Sequence, residues 1–232
     1  MKKVFILFTL AFLTIFPTFA HHDDNELTVH SLHLAFPTGH NSWGFDSWMY
    51  GNNYGDVNFP YFGTTLNWNR ITIKEQGFTN LVGLNFGFCA IEPKDFLIDS
   101  MYGFTTGVKF GWGYSPIHND KFILALHGVL AVDLKFLTFT EDYYFDDSSE
   151  KETLKYYAPD FSTSLGFDAV FAWRVRETFA LFAGLDVTTN FFGVGSFSVE
   201  SKSDRYINNG IGFEYVLTGL NVIPRFGICW VF

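Results

Sequence analysis

Eight ionisable side chains stand out because each opposes the bulky apolar residues of its own segment: His33, Lys109, His127, Asp133, Lys135, Asp168, Asp186 and Arg225. Charges set among so many rings must pair with one another or meet water. Two chemistries follow. They line a polar path through an enclosed space, or they form a salt-bridged plug that holds the space rigid. Lys135 and Asp133 share a segment and a parity, so a local pair between them is expected. A third arrangement is hydrolytic: His40-Asn41-Ser42 with Asp46 nearby holds the residue types of a nucleophile, a base and an acid. Such a triad is defined by geometry rather than spacing, and polar connections contain these triplets by chance, so an enzyme is not the expectation. His21-His22-Asp23-Asp24 holds metal-ligand types, but on a solvated tail without a fixed frame. No metal and no cofactor is expected.

Two connecting stretches offer contact chemistry. Trp43, Phe45, Trp48, Tyr50 and Tyr54 are spaced by Gly and Asn, a density of rings that suits either a cap over the enclosed space or a ligand-contact patch. Glu141, Asp142, Asp146, Asp147, Glu150 and Glu152 outnumber Lys151 and Lys155 in another stretch, a solvated acidic face.

The elements that must position these groups read as strands. In Tyr102–Tyr114 one parity runs Tyr102, Phe104, Thr106, Val108, Phe110, Trp112, Tyr114, and the other is glycine apart from Thr105 and Lys109. A period of two means a strand with unlike faces. Phe78–Ala90, Phe122–Phe136, Phe161–Trp173 and Phe179–Phe191 repeat the pattern, and Leu27–Phe36, Tyr61–Ile73 and a last segment ending at Phe232 bring the expected total to eight. The connections alternate. Lys74–Gly77, Ser115–Lys121 and Arg174–Thr178 are short, whereas Pro37–Pro60, Ile91–Ser100, Thr138–Asp160 and Phe192 to about Gly212 are long. That is an up-and-down antiparallel meander. In the last segment, Pro224 and a parity switch between Leu217 and Val222 call for a bulge near Gly219.

The N-terminus sets the compartment. Lys2 and Lys3 precede an apolar run, Val4–Phe16, and Thr18-Phe19-Ala20 presents small residues at a cleavage site. These are the parts of a secretory signal peptide cut after Ala20. The expected division is 1–20 signal peptide and 21–232 barrel domain. A formal net charge of −9 before that cut excludes a basic nucleic-acid footprint. Forty-eight per cent hydrophobic residues and 30 Phe exclude a disordered chain. Cys89 and Cys229 end strands of opposite direction, so their heights differ too much for the roughly 7 Å that a disulfide allows. Both are expected as free thiols.

Alternation alone does not say which face is inside; a secreted lipocalin-like barrel turns its apolar face inward. Here the less apolar face carries Gly83, Gly87, Gly103, Gly107, Gly111, Gly113, Gly166 and Gly184, which suits a crowded interior. Trp112, Trp173 and Trp230 fall at the short-turn level with Phe232, a girdle of the kind a lipid–water interface selects. The last residues place Phe226, Ile228, Trp230 and Phe232 on one parity. This resembles the C-terminal signature of bacterial outer-membrane barrels, and the whole layout resembles the small eight-stranded group of the OmpX, OmpA-domain and OmpW kind.

The resemblance implies an all-β, eight-stranded antiparallel transmembrane barrel in the bacterial outer membrane. It implies contact with outer-membrane lipids and recognition of Phe232 by the barrel-assembly machinery. It also implies a narrow OmpW-like conduit for small apolar solutes. A plugged barrel that displays loops to an extracellular ligand is the alternative, and a lipid-modifying enzyme ranks third.

Overall fold

The alternation seen in the sequence becomes one closed sheet in a computed structural model, which describes residues 26–45, 57–92, 100–144, 151–201 and 211–232. The strands are β1 (Glu26–Ala35), β2 (Thr38–Phe45), β3 (Val57–Lys74), β4 (Phe78–Ile91), β5 (Met101–His118), β6 (Phe122–Tyr144), β7 (Lys151–Arg176), β8 (Phe179–Ser201) and β9 (Ile211–Val231). Each later strand pairs antiparallel with its sequence neighbour from β3 to β9. β1 and β2 both lie between β3 and β9, so the ring closes. They are collinear halves of one strand, interrupted at Phe36-Pro37, where the proline cannot donate to a ladder. The architecture is therefore an eight-stranded antiparallel barrel, as the period-two pattern indicated.

The faces divide as expected. Outside lie Leu66, Phe86, Phe88, Phe104, Trp112, Phe167 and Trp173, among many other large apolar side chains at more than 36% exposure. Inside lie His33, Asn69, Ser162, Asp168 and Arg225, all at or below 2%. A soluble barrel would have the reverse distribution. Outward rings touch across strands: Phe104 lies 5.7 Å from Phe136 and 6.3 Å from Phe86, and Phe78 meets Tyr114 edge-on at 6.1 Å. The short turns fall where the sequence put them. Gly77 (φ 86°) closes the β3–β4 turn in a left-handed conformation that a side chain would strain.

Two expectations are corrected. Three of the four long connections, all but Ile91–Ser100, are much shorter than read, because β2, β6, β7, β8 and β9 run on past the alternating segments. The bulge near Gly219 is not in β9. Leu217, Asn221, Arg225 and Cys229 all point inward on one parity, without a switch. The extra residue is in the partner strand: the β8–β9 register shifts between Asn190 and Val194, leaving Phe191 and Phe192 both exposed. Leu217 faces inward because the lumen at its level is itself apolar.

Phe167 is 77% exposed and lies on β7 midway between Phe161 and Trp173. Phe167→Arg should destabilise the barrel in lipid vesicles by about 2–4 kcal/mol, the cost of a cation at the bilayer midplane. Denaturant unfolding in vesicles measures it.

Candidate functional site

The inward side chains stack in three layers. At the short-turn end Val29, Ile71, Ile73, Leu81, Ile123, Val170, Phe182 and Val231 fill the bore with the small residues Ala125, Ala172, Ala180 and Cys229. At the long-loop end Trp43, Phe59, Tyr61, Ile91, Met101, Leu137, Tyr156 and Leu217 do the same, with Cys89 and Ala158. Between these two apolar layers lies the charge. Cys89 and Cys229 thus belong to opposite layers, each as a buried free thiol.

The central layer is built on a conflict. Asp168 and Asp186 are direct partners on β7 and β8, and like charges in that relation repel. Two cations resolve it. Lys109 Nζ on β5 donates to Asp168 Oδ2 at 2.7 Å and to Asp186 Oδ2 at 2.8 Å. From the other side Arg225 Nη2 on β9 reaches Asp168 Oδ1 at 2.8 Å and Asp186 Oδ1 at 3.0 Å. Arg225 also lies over the Phe182 ring at 5.5 Å, and Asn69, with its amide turned to satisfy both ends, accepts from Arg225 Nη1 at 3.0 Å. His33 stacks on Phe182 at 4.4 Å, with Ser31 Oγ 3.3 Å from its Nδ1. His127 is buried with its Nδ1 3.9 Å from Asp168 Oδ1, too far for a hydrogen bond.

A second cluster lies toward the long-loop end. Lys135 Nζ is 3.3 Å from Asp160 Oδ1 and 3.4 Å from Ser162 Oγ, and 5.4 Å from the centre of the Tyr61 ring. The expected Lys135–Asp133 pair is not what forms. Lys135 and Asp160 are direct cross-strand partners, and such partners approach more closely than residues two apart on one strand. Asp133 instead accepts from Asn85 Nδ2 at 3.0 Å, across the gap left by Gly107, where a Cβ would collide with the Asp133 carboxylate. A cavity of about 70 Å³ separates the two clusters, lined by Asn67, Asn69, Asn85, Asp133, Asn190 and Asn221 among others.

All eight predicted interior residues therefore face the lumen, and seven of them, all but His127, are in direct charge or hydrogen-bond contact with another side chain there. The sequence reading missed Asp160, Tyr61 and the interior asparagines. Asp160 stood inside an expected connection, yet its parity matches Ser162, Ser164 and Asp168, which was the available signal. Of the loop residues, Trp43 is a correction: it is wholly buried, 4.7 Å from Phe59, because β2 continues the inward parity of β1. Phe45 ends β2. Trp48, Tyr50 and Tyr54 lie outside the described residues, as do Asp46, residues 1–25 and Asp146, Asp147 and Glu150 of the acidic stretch. His40 and Ser42 lie on the outward parity of β2, while Asn41 between them points inward to Asn190 and Asn221. The girdle residues Trp112, Trp173, Trp230 and Phe232 all face outward.

The outer wall has one further feature. Between β7 and β8 the ladder lapses at Ala158-Pro159, with Tyr157↔Ser198 and Asp160↔Gly195 on either side. A groove of about 600 Å³ opens there, lined by Leu134, Phe136, Pro159, Phe161, Val194 and Val216, with Asp160 contributing to its lining.

The same fold occurs in solved outer-membrane proteins. The outer membrane protein OprG from Pseudomonas aeruginosa matches with a TM-score of 0.54 at 12% identity, over 89% of this chain and 95% of that one. A major outer membrane protein from Thermus thermophilus matches with a TM-score of 0.51 at 14% identity, over 86% of this chain and 99% of that one. No protein-family model and no curated protein sequence matches. The chain thus has the fold of the small bacterial outer-membrane β-barrels.

Removing Lys109 leaves two facing carboxylates on a single guanidinium. Lys109→Met should cost about 3–5 kcal/mol, the range for breaking a buried pair. Lys109→Met with Asp186→Asn should recover part of it, read as a coupling term in a double-mutant cycle of denaturant unfolding.

Proposed function

We propose that this chain is exported through its signal peptide, assembled into the outer membrane through its C-terminal strand, and passes small apolar solutes sideways from its long-loop end into the bilayer. The observation that carries this reading is the position of the wall groove. An apolar layer of Trp43, Phe59, Tyr61 and Leu217 sits at the outer end of the bore. Below it the charged layers and the second apolar layer occupy the axis. At the level of Asp160 the β7–β8 ladder lapses at Pro159, beside an apolar groove on the outer wall. A greasy molecule that enters from outside meets less resistance through that wall than through two ion clusters, since desolvating and separating buried charge pairs costs several kcal/mol.

The second reading is a plugged barrel that displays its loops to an extracellular ligand. It is favoured by the length of β6, β7 and β8, at 23, 26 and 23 residues, against the roughly 9–11 needed to cross a bilayer. Replacing Trp48, Tyr50 and Tyr54 together by Ala would abolish ligand capture under this reading and leave solute uptake under the first unchanged.

In planar bilayers the purified barrel should show no steady ion conductance. In cells it should accelerate uptake of a small apolar ester. Pro159→Val, which restores a backbone donor at the gap, should lower that acceleration severalfold while leaving the barrel folded. A stable open ion channel, or uptake indifferent to Pro159→Val, contradicts the lateral route.

A further inference from the structure

The charges between the two apolar layers do not balance. Lys109, Lys135 and Arg225 are three cations; Asp133, Asp160, Asp168 and Asp186 are four carboxylates. His33 and His127 are the other titratable side chains among the described residues of this layer, and neither is within hydrogen-bond distance of a carboxylate. The central group of Lys109, Arg225, Asp168 and Asp186 is neutral by itself. Lys135 pairs with Asp160. The excess carboxylate is Asp133.

An unbalanced charge at this depth needs a proton or a counter-ion. Two features around Asp133 favour the ion. First, Asn85 Nδ2 donates to Asp133 Oδ1, and a hydrogen bond from a donor stabilises the charged form of a carboxyl group. Second, the cavity beside Asp133 is lined by oxygen-bearing side chains, Thr65, Asn67, Thr105 and Ser164 among them. Asn67 is more than nine-tenths buried, and its Oδ1 lacks a hydrogen-bond partner in a place where neutral oxygens are ordinarily satisfied. Asn67, Asn85, Gly107 and Asp133 are consecutive partners across β3, β4, β5 and β6, so they form one row around the wall.

We infer that this cavity binds a monovalent metal cation of the size of sodium or potassium, held by the Asp133 carboxylate with the Asn67 amide oxygen and retained water. Oxygen donors suit such a hard ion. A volume of about 70 Å³ holds it with a few waters. Its single charge cancels the single carboxylate excess. Lys109 and Lys135 also line the cavity but are directed at their own carboxylates, which screens them from the ion.

The test uses the full barrel in detergent micelles, with thermal unfolding followed by loss of the fast-migrating folded form on gels. Sodium or potassium chloride is compared with N-methylglucamine chloride at equal ionic strength. A ligand of the native state alone raises the midpoint with concentration; the expected rise is a few degrees in sodium or potassium over N-methylglucamine, lost in Asp133→Asn. Should Asp133→Asn fail to assemble, Asn67→Ala gives the second arm, with a higher cation concentration needed for the same rise. Equal midpoints in all three salts mean that Asp133 carries a proton, and that overturns the site. So does a cation-specific rise that persists in Asp133→Asn.

Discussion

A backbone that crosses hydrocarbon has no water to satisfy its N–H and C=O groups, and this requirement governs the rest of the molecule. It forces the strands into a ring, and here the ring closes through β1 and β2 against both β3 and β9. The one break in that first strand, at Phe36-Pro37, is bridged by bonds from its neighbours: Phe36 N–H donates to Pro224 O at 3.0 Å and Gly63 N–H to Pro37 O at 2.8 Å. Two prolines on adjacent strands are thus accommodated by the same local exchange. Pro159 is the counterexample, where the β7–β8 ladder lapses beside a groove on the outer wall.

Closure with so few strands leaves a bore that side chains fill, and filling it decides its chemistry. Apolar layers flank the centre at both ends, so charge inside must be matched by charge inside or by a bound ion. The facing pair Asp168 and Asp186 would be untenable without Lys109 and Arg225. Breaking that lattice to open an axial path would strand carboxylates, which is why function is better sought at the outer apolar layer and the wall beside it. Rigidity of the centre and permissiveness of the wall are two results of the same narrow diameter.

The outward-facing alternation is legible because lipid on one side and a tight lumen on the other select opposite residue types at every second position. Phe122–Phe136 and Phe161–Trp173 show it over most of their length. The strand extensions are not legible. Past Phe136 and before Phe161 the outer face meets a different solvent, and residues such as Thr138, Thr140 and Lys155 no longer contrast with their inward neighbours. The bulge falls on the other strand for a related reason. Leu217 reads as outward because it is apolar, but the upper bore is apolar too, so residue type there carries no directional information. Asp160 and the asparagines escape notice because a polar side chain in an extended segment looks the same whether it meets bulk water or a sealed lumen. Their partners are set by cross-strand register, which a single strand does not reveal.

The account depends on which side of the wall each ring occupies, and tryptophan quenching by brominated lipid reads this directly. Single-tryptophan variants that keep either Trp173 or Trp43 would be reconstituted into vesicles with bromine along the acyl chains. Trp173, half exposed on the outer wall, should be strongly quenched, while Trp43, wholly buried in the bore, should keep its emission. Strong quenching of Trp43 with an unaffected Trp173 would mean that the faces are reversed, and the layered lumen would fall with them.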